Sequence, residues 1–175
     1  MELLETMLRR RSIRTYREED VPGEALDQIL EAGLLSPSGH DLRPVALIAV
    51  EDPAVVHRLA EARASGAGML EQASRAVVVA GDREKSDTWV EDCSLSMAYM
   101  QLRAADLGVA NCWVQCRNRT ARAEGVTSDE FVKSLLGIPE RYSVLAILSL
   151  GLAGQEKAPH RLEELDVQRI HRGRF

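Results

Sequence analysis

The sequence predicts a single domain of the α/β or α+β class, and three observations support this prediction. Four short apolar runs have the length of buried strands, and segments with helical periodicity separate them. The chain has 175 residues, 45% hydrophobic and 28% charged, which is an ordinary globular composition with room for a real core. Strands that are apolar throughout indicate a sheet covered on both faces.

The first half of the chain predicts two helices and two strands. After a charged, helix-like start, apolar residues recur at intervals of three and four over residues 22–35, which predicts a helix with one buried stripe. The segment SPSGHDLRP holds two prolines, a glycine and two serines, so it reads as a loop before the strand 45–50. Asp52 before a proline predicts the start of a second helix, and residues 76–81 predict a second strand.

The second half adds a long helix, another helix and two more strands. Apolar residues at steps of four and three predict the long helix over residues 88–107, followed by a strand over 109–115. Thr127 and Glu130 have the spacing of a capping box and predict the start of the next helix. Residues 144–150 form the fourth predicted strand.

Residues 154–175 are predicted to pack against another surface, although most of them are polar. This tail carries apolar side chains that a purely disordered segment would not need: Leu162, Leu165, Val167, Ile170 and Phe175. A second subunit would provide such a surface. The chain has no repeat, linker or low-complexity segment, so we expect one domain over residues 1–175.

Composition narrows the cellular setting and the partners. The net charge of -5 and the pI of about 5.5 argue against general nucleic-acid binding. The apolar runs are too short to cross a bilayer, and the first residues do not resemble a secretory signal, so we expect a cytoplasmic protein. Three cysteines without a CxxC pair, Cys93, Cys112 and Cys116, indicate free thiols.

Common catalytic motifs are missing from the sequence. The four histidines are scattered, no metal-binding spacing occurs, and neither a phosphate-binding P-loop, a dinucleotide fingerprint nor a GxSxG elbow is present. If the protein is an enzyme, we therefore expect its reactive chemistry to belong to a bound cofactor and not to a metal.

Two polar segments, RRRSIR and SPSGHDLRP, are the candidate binding elements. Arginine offers fixed donors that match phosphate oxygens, and the hydroxyls of Ser12 and Ser38 add further donors. Together they could hold a phosphate monoester. The alternative interpretation is a solvated charged helix end and a simple turn.

The order of these segments resembles the nitroreductase family. RRSIRTY followed by VPGEALDQILEAGLLSPSGHDLRPVALIAV is similar to the opening of that family. The resemblance continues in DTWVEDCSLSMAYMQLRAADLGVANCWVQ, which looks like its central helix and following strand, and in LLGIPERYSVLAILSLGLA. It covers residues 8–153, most of the chain.

The resemblance implies an α+β homodimer with a central mixed sheet flanked by helices and FMN bound at two sites between the subunits. Arg10 and Ser12 match contacts to the phosphate and ribityl chain, and Arg14 matches the basic residue that faces flavin N1 and O2. The backbone amide of Gln115 is the expected donor to flavin N5. The predicted cofactor-binding set is Arg10, Arg11, Ser12, Arg14, Pro37, Ser38, Gly39, Asp41, Trp113, Gln115, Cys116, Lys157 and Arg161.

Within this set, some residues are expected to act from the partner subunit, and two residues are alternatives for a single phosphate contact. Pro37, Ser38 and Asp41 match a loop that the partner lays against the flavin. Either Lys157 or Arg161 supplies a further phosphate contact.

The resemblance also implies an activity. Reduced nicotinamide, NADH or NADPH, would reduce the flavin, and a small nitroaromatic, quinone or other conjugated acceptor would then reoxidise it in a ping-pong cycle. Two departures from the family pattern, Asp41 for Asn and Val45 for Trp, keep open an alternative: an FMN-binding protein that stores, senses or delivers flavin. An ionised Asp41 only accepts hydrogen bonds, so it would pair with Arg14 or Arg43 or receive the flavin N3 proton.

Overall fold

A four-stranded sheet and five α-helices make up the fold, in a computed structural model that describes residues 2–175. In chain order the elements are α1 (Leu3–Arg9), α2 (Gly23–Leu34), β1 (Val45–Val50), α3 (Pro53–Arg58), β2 (Arg75–Asp82), α4 (Trp89–Asp106), β3 (Ala110–Gln115), α5 (Ser128–Leu136) and β4 (Tyr142–Gly151). The predicted helices and strands are confirmed, and the predicted bounds lie within two residues of those observed.

The strands lie in the order β1-β2-β4-β3, and each neighbouring pair is antiparallel. The four strands therefore do not form the expected mixed sheet of parallel and antiparallel strands. The described residues have one parallel pairing, an isolated bridge between Ser12 and Asn111 at the outer edge of β3. Apolar runs did not reveal strand direction because both faces of this sheet are covered, and burial on both faces makes any strand apolar.

Helices cover the two faces of the sheet and form two cores. Along β2, Val77 and Val79 point into one core and Val78 and Ala80 into the other, as the two-residue period of a strand requires. α2 and α4 close the first core, with fully buried side chains that include Leu26, Ile29, Met97 and Met100. None of the helices within residues 2–175 is both long and apolar enough to span a membrane.

The predicted helix ends are confirmed in their hydrogen bonding. The Thr127 hydroxyl accepts from the Glu130 N–H at 3.1 Å, and the Glu130 carboxylate accepts from the Thr127 N–H at 2.8 Å. Asp52 accepts from the Ala54 N–H at 2.9 Å at the start of α3. These local bonds satisfy N–H groups that the helices themselves leave without partners.

The two ends of the chain meet at the open edge of β3. The segment after α1 pairs with this edge at Ser12 and Asn111, and further on Tyr16 bridges Ala153 just after β4. The His160 N–H donates to the Leu8 carbonyl at 2.8 Å. All residues after 160 are exposed, including the apolar side chains of the tail. The edge of β3 is therefore the place where the N-terminal arginines and the start of the tail come together.

Candidate functional site

The predicted phosphate-binding residues are held at the edge of β3 by backbone pairing. The Ile13 N–H donates to the Asn111 carbonyl at 3.0 Å, which places Ser12 beside the strand. Lys157 Nζ donates to the Ser12 carbonyl at 2.6 Å. Residues 145 positions apart in the sequence are thus in direct contact.

Positive charge collects around the Cys112 thiol on β3. Burial raises the pKa of Cys112, and four neighbours oppose this rise: first Arg14, then the Ser12 hydroxyl, Lys157 and Arg10. Three cations and a hydroxyl around one position form a donor set suited to a phosphate monoester. These residues of the structure therefore fit the phosphate end of FMN.

The two alternatives for the tail's phosphate contact have different surroundings. Lys157 is partly buried beside Ser12, whereas Arg161 has a 70% exposed side chain and lies 3.4 Å from the Glu163 carboxylate. Within one chain, Lys157 and not Arg161 lies with Arg10 and Arg14 around Cys112. Arg11 donates from its guanidinium to the Ala158 carbonyl, so it ties the tail to the N-terminal segment.

At the other end of β3, the Gln115 backbone amide faces the open edge of the sheet. The Cys116 N–H donates inward to the Leu145 carbonyl of β4 at 3.0 Å. Backbone polar groups of successive residues in a strand point to opposite sides, so the N–H and C=O of Gln115 both point outward. The Trp113 indole N–H donates to the Gln115 side-chain oxygen at 2.8 Å and holds that side chain in place.

Cys116 itself is turned into the core. It is 1% exposed, and burial raises the pKa of its thiol to about 12, so the thiol stays protonated at neutral pH. With its N–H bonded to β4, neither its backbone donor nor its thiol is presented at the open edge. Within residues 2–175, no three His, Cys, Asp or Glu side chains come together in a group that could hold a metal.

Arg63 contacts this end of β3, although no motif in the sequence points to it. The residue follows a short 3-10 helix, Leu59–Ala62, and its guanidinium donates from Nη1 to the Gln115 carbonyl at 2.8 Å. Its segment, AEARASGAG, has no motif, and the contact joins residues 52 positions apart. Only the folded chain reveals it.

The loop before β1 adopts an unusual backbone conformation. His40, Asp41 and Arg43 have positive φ angles of 50°, 55° and 48°. Non-glycine residues in this region cost on the order of 1–3 kcal/mol each and persist only where the surroundings hold them. Local bonds contribute: the Ser38 hydroxyl accepts from the Arg43 N–H at 2.8 Å, and Arg43 Nε lies 2.7 Å from the Asp41 carboxylate.

A buried carboxylate anchors this loop to α4. Asp92 is 2% exposed and accepts from the Gly39 N–H at 2.9 Å, and its other oxygen accepts from the hydroxyls of Ser86 and Thr88. A Cβ on Gly39 would lie 2.6 Å from Thr88 Oγ1, so a larger residue would have to displace that hydroxyl from its hydrogen bonds to Ser86 and Asp92. Asp92 thus positions a loop whose exposed feature is the pair Asp41–Arg43.

The loop before β1 and the basic cluster at the edge of β3, formed by Arg10, Ser12, Arg14 and Lys157, do not meet within one chain. β1 and β3 are the opposite edges of the sheet, three strand spacings or about 14 Å apart. Among residues 2–175, no hydrogen bond or ion pair joins residues 37–43 to the cluster at the edge of β3. A single chain therefore presents the two halves of the predicted site at separate places.

Comparisons with known proteins identify the family of the chain. The family model described as "Nitroreductase family" matches residues 7–78 and 63–152. A protein of Archaeoglobus fulgidus, provisionally named an NADH dehydrogenase/NAD(P)H nitroreductase, is 34% identical, with 99% of each chain covered.

Solved structures are similar over nearly the whole chain. An FMN-dependent nitroreductase from Clostridium difficile R20291 has a TM-score of 0.95 and 37% identity, covering 98% of this chain and 99% of that one. A provisionally named nitroreductase from Desulfovibrio desulfuricans, solved in complex with FMN, has a TM-score of 0.73 and 25% identity, with 93% of each chain covered. The predicted nitroreductase-like α+β fold is confirmed, and the chain belongs to the nitroreductase family, a family of oxidoreductases.

Proposed function

We propose that this protein is an FMN-dependent oxidoreductase that takes electrons from NAD(P)H and passes them to a small nitroaromatic, quinone or other conjugated acceptor. The observation that carries the proposal is the cluster of Arg10, Ser12, Arg14 and Lys157 at the edge of β3. The outward-facing amide of Gln115 lies further along the same edge. The names of the similar proteins, which include FMN and NAD(P)H, support the choice of cofactor and reductant.

The length of β3 separates the two ends of the proposed site. From Asn111 to Gln115 the strand advances four residues, or about 13 Å. The basic cluster at the first end would hold the phosphate, with Ser12 towards the ribityl chain. The Gln115 N–H at the second end would donate to N5 of the ring.

The protein residues would bind, orient and provide charge. Bound FMN would supply the redox centre between the nicotinamide and the acceptor. Arg10 and Lys157 neutralise the phosphate, Gln115 orients the ring, and fixed positive charge near the ring favours the reduced state. Because both substrates would use the same face of the ring in turn, we expect ping-pong kinetics.

We further propose that the protein acts as a homodimer. The loop 37–41 lies at the sheet edge opposite β3, so it would complete the site of a partner subunit and not its own. The exposed apolar side chains of residues 154–175 would pack on that partner, while residues 1–175 form one domain. A reducing compartment such as the cytoplasm fits the three free, buried thiols.

The test is an absorption spectrum of the purified protein loaded with FMN, followed by anaerobic addition of NADH or NADPH and then of a nitroaromatic or a quinone. We expect bleaching by at least one nicotinamide and recovery with the acceptor. Protein that cannot be loaded with FMN would refute the proposal. Loaded protein that neither nicotinamide bleaches would instead support flavin storage, sensing or delivery.

A further inference from the structure

We infer that Arg63 is the cation that stabilises reduced FMN at the ring end of the site, a role that the family resemblance gives to Arg14. The inference rests on the proposed function, because it requires FMN along the edge of β3. It goes beyond that proposal by naming a residue that tunes the reduction potential.

The first argument is position. Arg63 Nη1 donates to the Gln115 carbonyl at 2.8 Å, and that carbonyl points to the same open edge as the Gln115 N–H. The guanidinium therefore lies beside the amide expected to contact flavin N5. The Arg14 charge acts instead on the Cys112 thiol, and Cys112 lies three residues earlier in β3, about 10 Å back along the strand.

The second argument is charge. Arg63 is partly buried, and within residues 2–175 no carboxylate forms an ion pair with it. Its hydrogen-bond acceptor is a neutral carbonyl, so this contact does not neutralise the positive charge. Burial is the main cause of the raised pKa of Cys116; the Arg63 charge opposes this rise, and the more weakly acting Asp129 carboxylate adds to it.

The third argument is the chemistry of the bound group. Addition of two electrons and one proton leaves the ring with one extra negative charge. A fixed, partly buried cation nearby stabilises this charge more than it would in bulk water, because the effective permittivity is lower. Oxidised FMN has no such charge on the ring, so Arg63 should favour the reduced form selectively.

The experiment compares Arg63→Gln with the wild-type full-length protein, both loaded with FMN. Affinity for oxidised FMN is measured by fluorescence titration, and the midpoint potential by anaerobic dithionite titration against a reference dye. We expect oxidised FMN to bind with nearly unchanged affinity and reduced FMN to bind about tenfold more weakly. A tenfold weaker binding of reduced FMN relative to oxidised FMN lowers the two-electron midpoint potential by about 30 mV.

Arg122→Gln is the matched control. It removes the same charge from a neighbouring segment, but its guanidinium is already 2.7 Å from the Glu71 carboxylate. We expect its potential to equal that of the wild type, and Arg14→Gln to lower the potential less than Arg63→Gln. Arg63→Lys, which keeps the charge, should recover most of the potential.

Arg63→His provides a second variant in case Arg63→Gln does not fold. Its potential should show additional pH dependence around pH 6.5, where an imidazole loses its charge. Equal potentials in Arg63→Gln and wild type, a larger fall in Arg14→Gln, or an Arg63→His profile identical to wild type would each overturn the inference. Dithionite replaces NAD(P)H here, so wild-type protein that binds FMN but ignores nicotinamide would refute only the proposed enzyme, whereas a failure to bind FMN would overturn both.

Discussion

Arg10 and Arg17 belong to the same arginine-rich stretch of the sequence, but they have different surroundings in the fold. Arg10 lies near Cys112 with the other candidate phosphate ligands. Arg17 is exposed and lies 3.5 Å from the Glu19 carboxylate. At the scale of single residues, local charge density alone did not separate these two roles.

Arg10→Ala should lower FMN affinity by about 1.5–3 kcal/mol, the range for a hydrogen bond to a charged group. Fluorescence titration of the apoprotein with FMN measures this change. Arg17→Ala removes the same charge from the same stretch and should leave the affinity nearly unchanged. Equal losses in the two variants would show that only the overall charge of the segment matters.

The contact of Lys157 with Ser12 predicts a second difference between residues. Lys157→Met should weaken FMN binding, because it removes a cation from the basic cluster, whereas Arg161→Met should have little effect in the same titration. The reverse order of effects would mean that the tail rearranges when FMN or the partner subunit binds.

At the scale of elements, α5 illustrates how a local motif controls a helix end. Glu130 accepts from the backbone N–H and the hydroxyl of Thr127, and these bonds lower the pKa of its carboxyl group. A carboxyl group whose folded-state pKa lies below its unfolded value stabilises the folded state above the unfolded pKa. This contribution is lost as the pH falls through the folded-state pKa.

Glu130→Ala should therefore lower the melting temperature at pH 7, and the difference from wild type should shrink below about pH 4.5, the ordinary value for glutamate. Thermal unfolding followed by circular dichroism across this pH range provides the measurement. Glu124→Ala, an exposed glutamate on the preceding loop, is the control. A difference that stays constant down to pH 3 would argue against the capping interaction.

The loop before β1 shows what element-scale patterns miss. Its prolines, glycine and serines predicted a loop, but not the positive φ angles of His40, Asp41 and Arg43. Of the pairings considered for Asp41, the structure shows the one with Arg43. This conformation depends on Asp92, which lies 53 residues from Gly39 in the sequence.

At the scale of the whole molecule, the tail of residues 154–175 leaves its large apolar side chains exposed in a single chain. Its apolar side chains are at least half exposed, from 50% for Leu162 to full exposure for Phe175. Exposed apolar groups concentrated in one segment are typical of a contact surface. The proposed dimer would remove them from water.

The double substitution Leu165→Asp and Ile170→Asp should shift the protein from dimer to monomer, because it places charges where apolar side chains would be buried. Sedimentation velocity measures the change, and FMN affinity should fall with it because the partner loop is lost. Gln168→Asp adds a charge to the same tail and is the control. A double variant that remains dimeric with unchanged FMN affinity would place the subunit interface elsewhere.

The sequence by itself determined the helices, the strands and the capped helix ends, since these depend on short-range periodicity and on motifs. The candidate flavin-binding residues came from its resemblance to the nitroreductase family and stay a prediction. Only the tertiary structure decided the antiparallel strand order, the choice of Lys157 over Arg161 beside Ser12, and the contact between Arg63 and Gln115. The physical reason is distance along the chain. Residues 52 or 145 positions apart meet only after the sheet has formed, and no local pattern specifies which of them will touch.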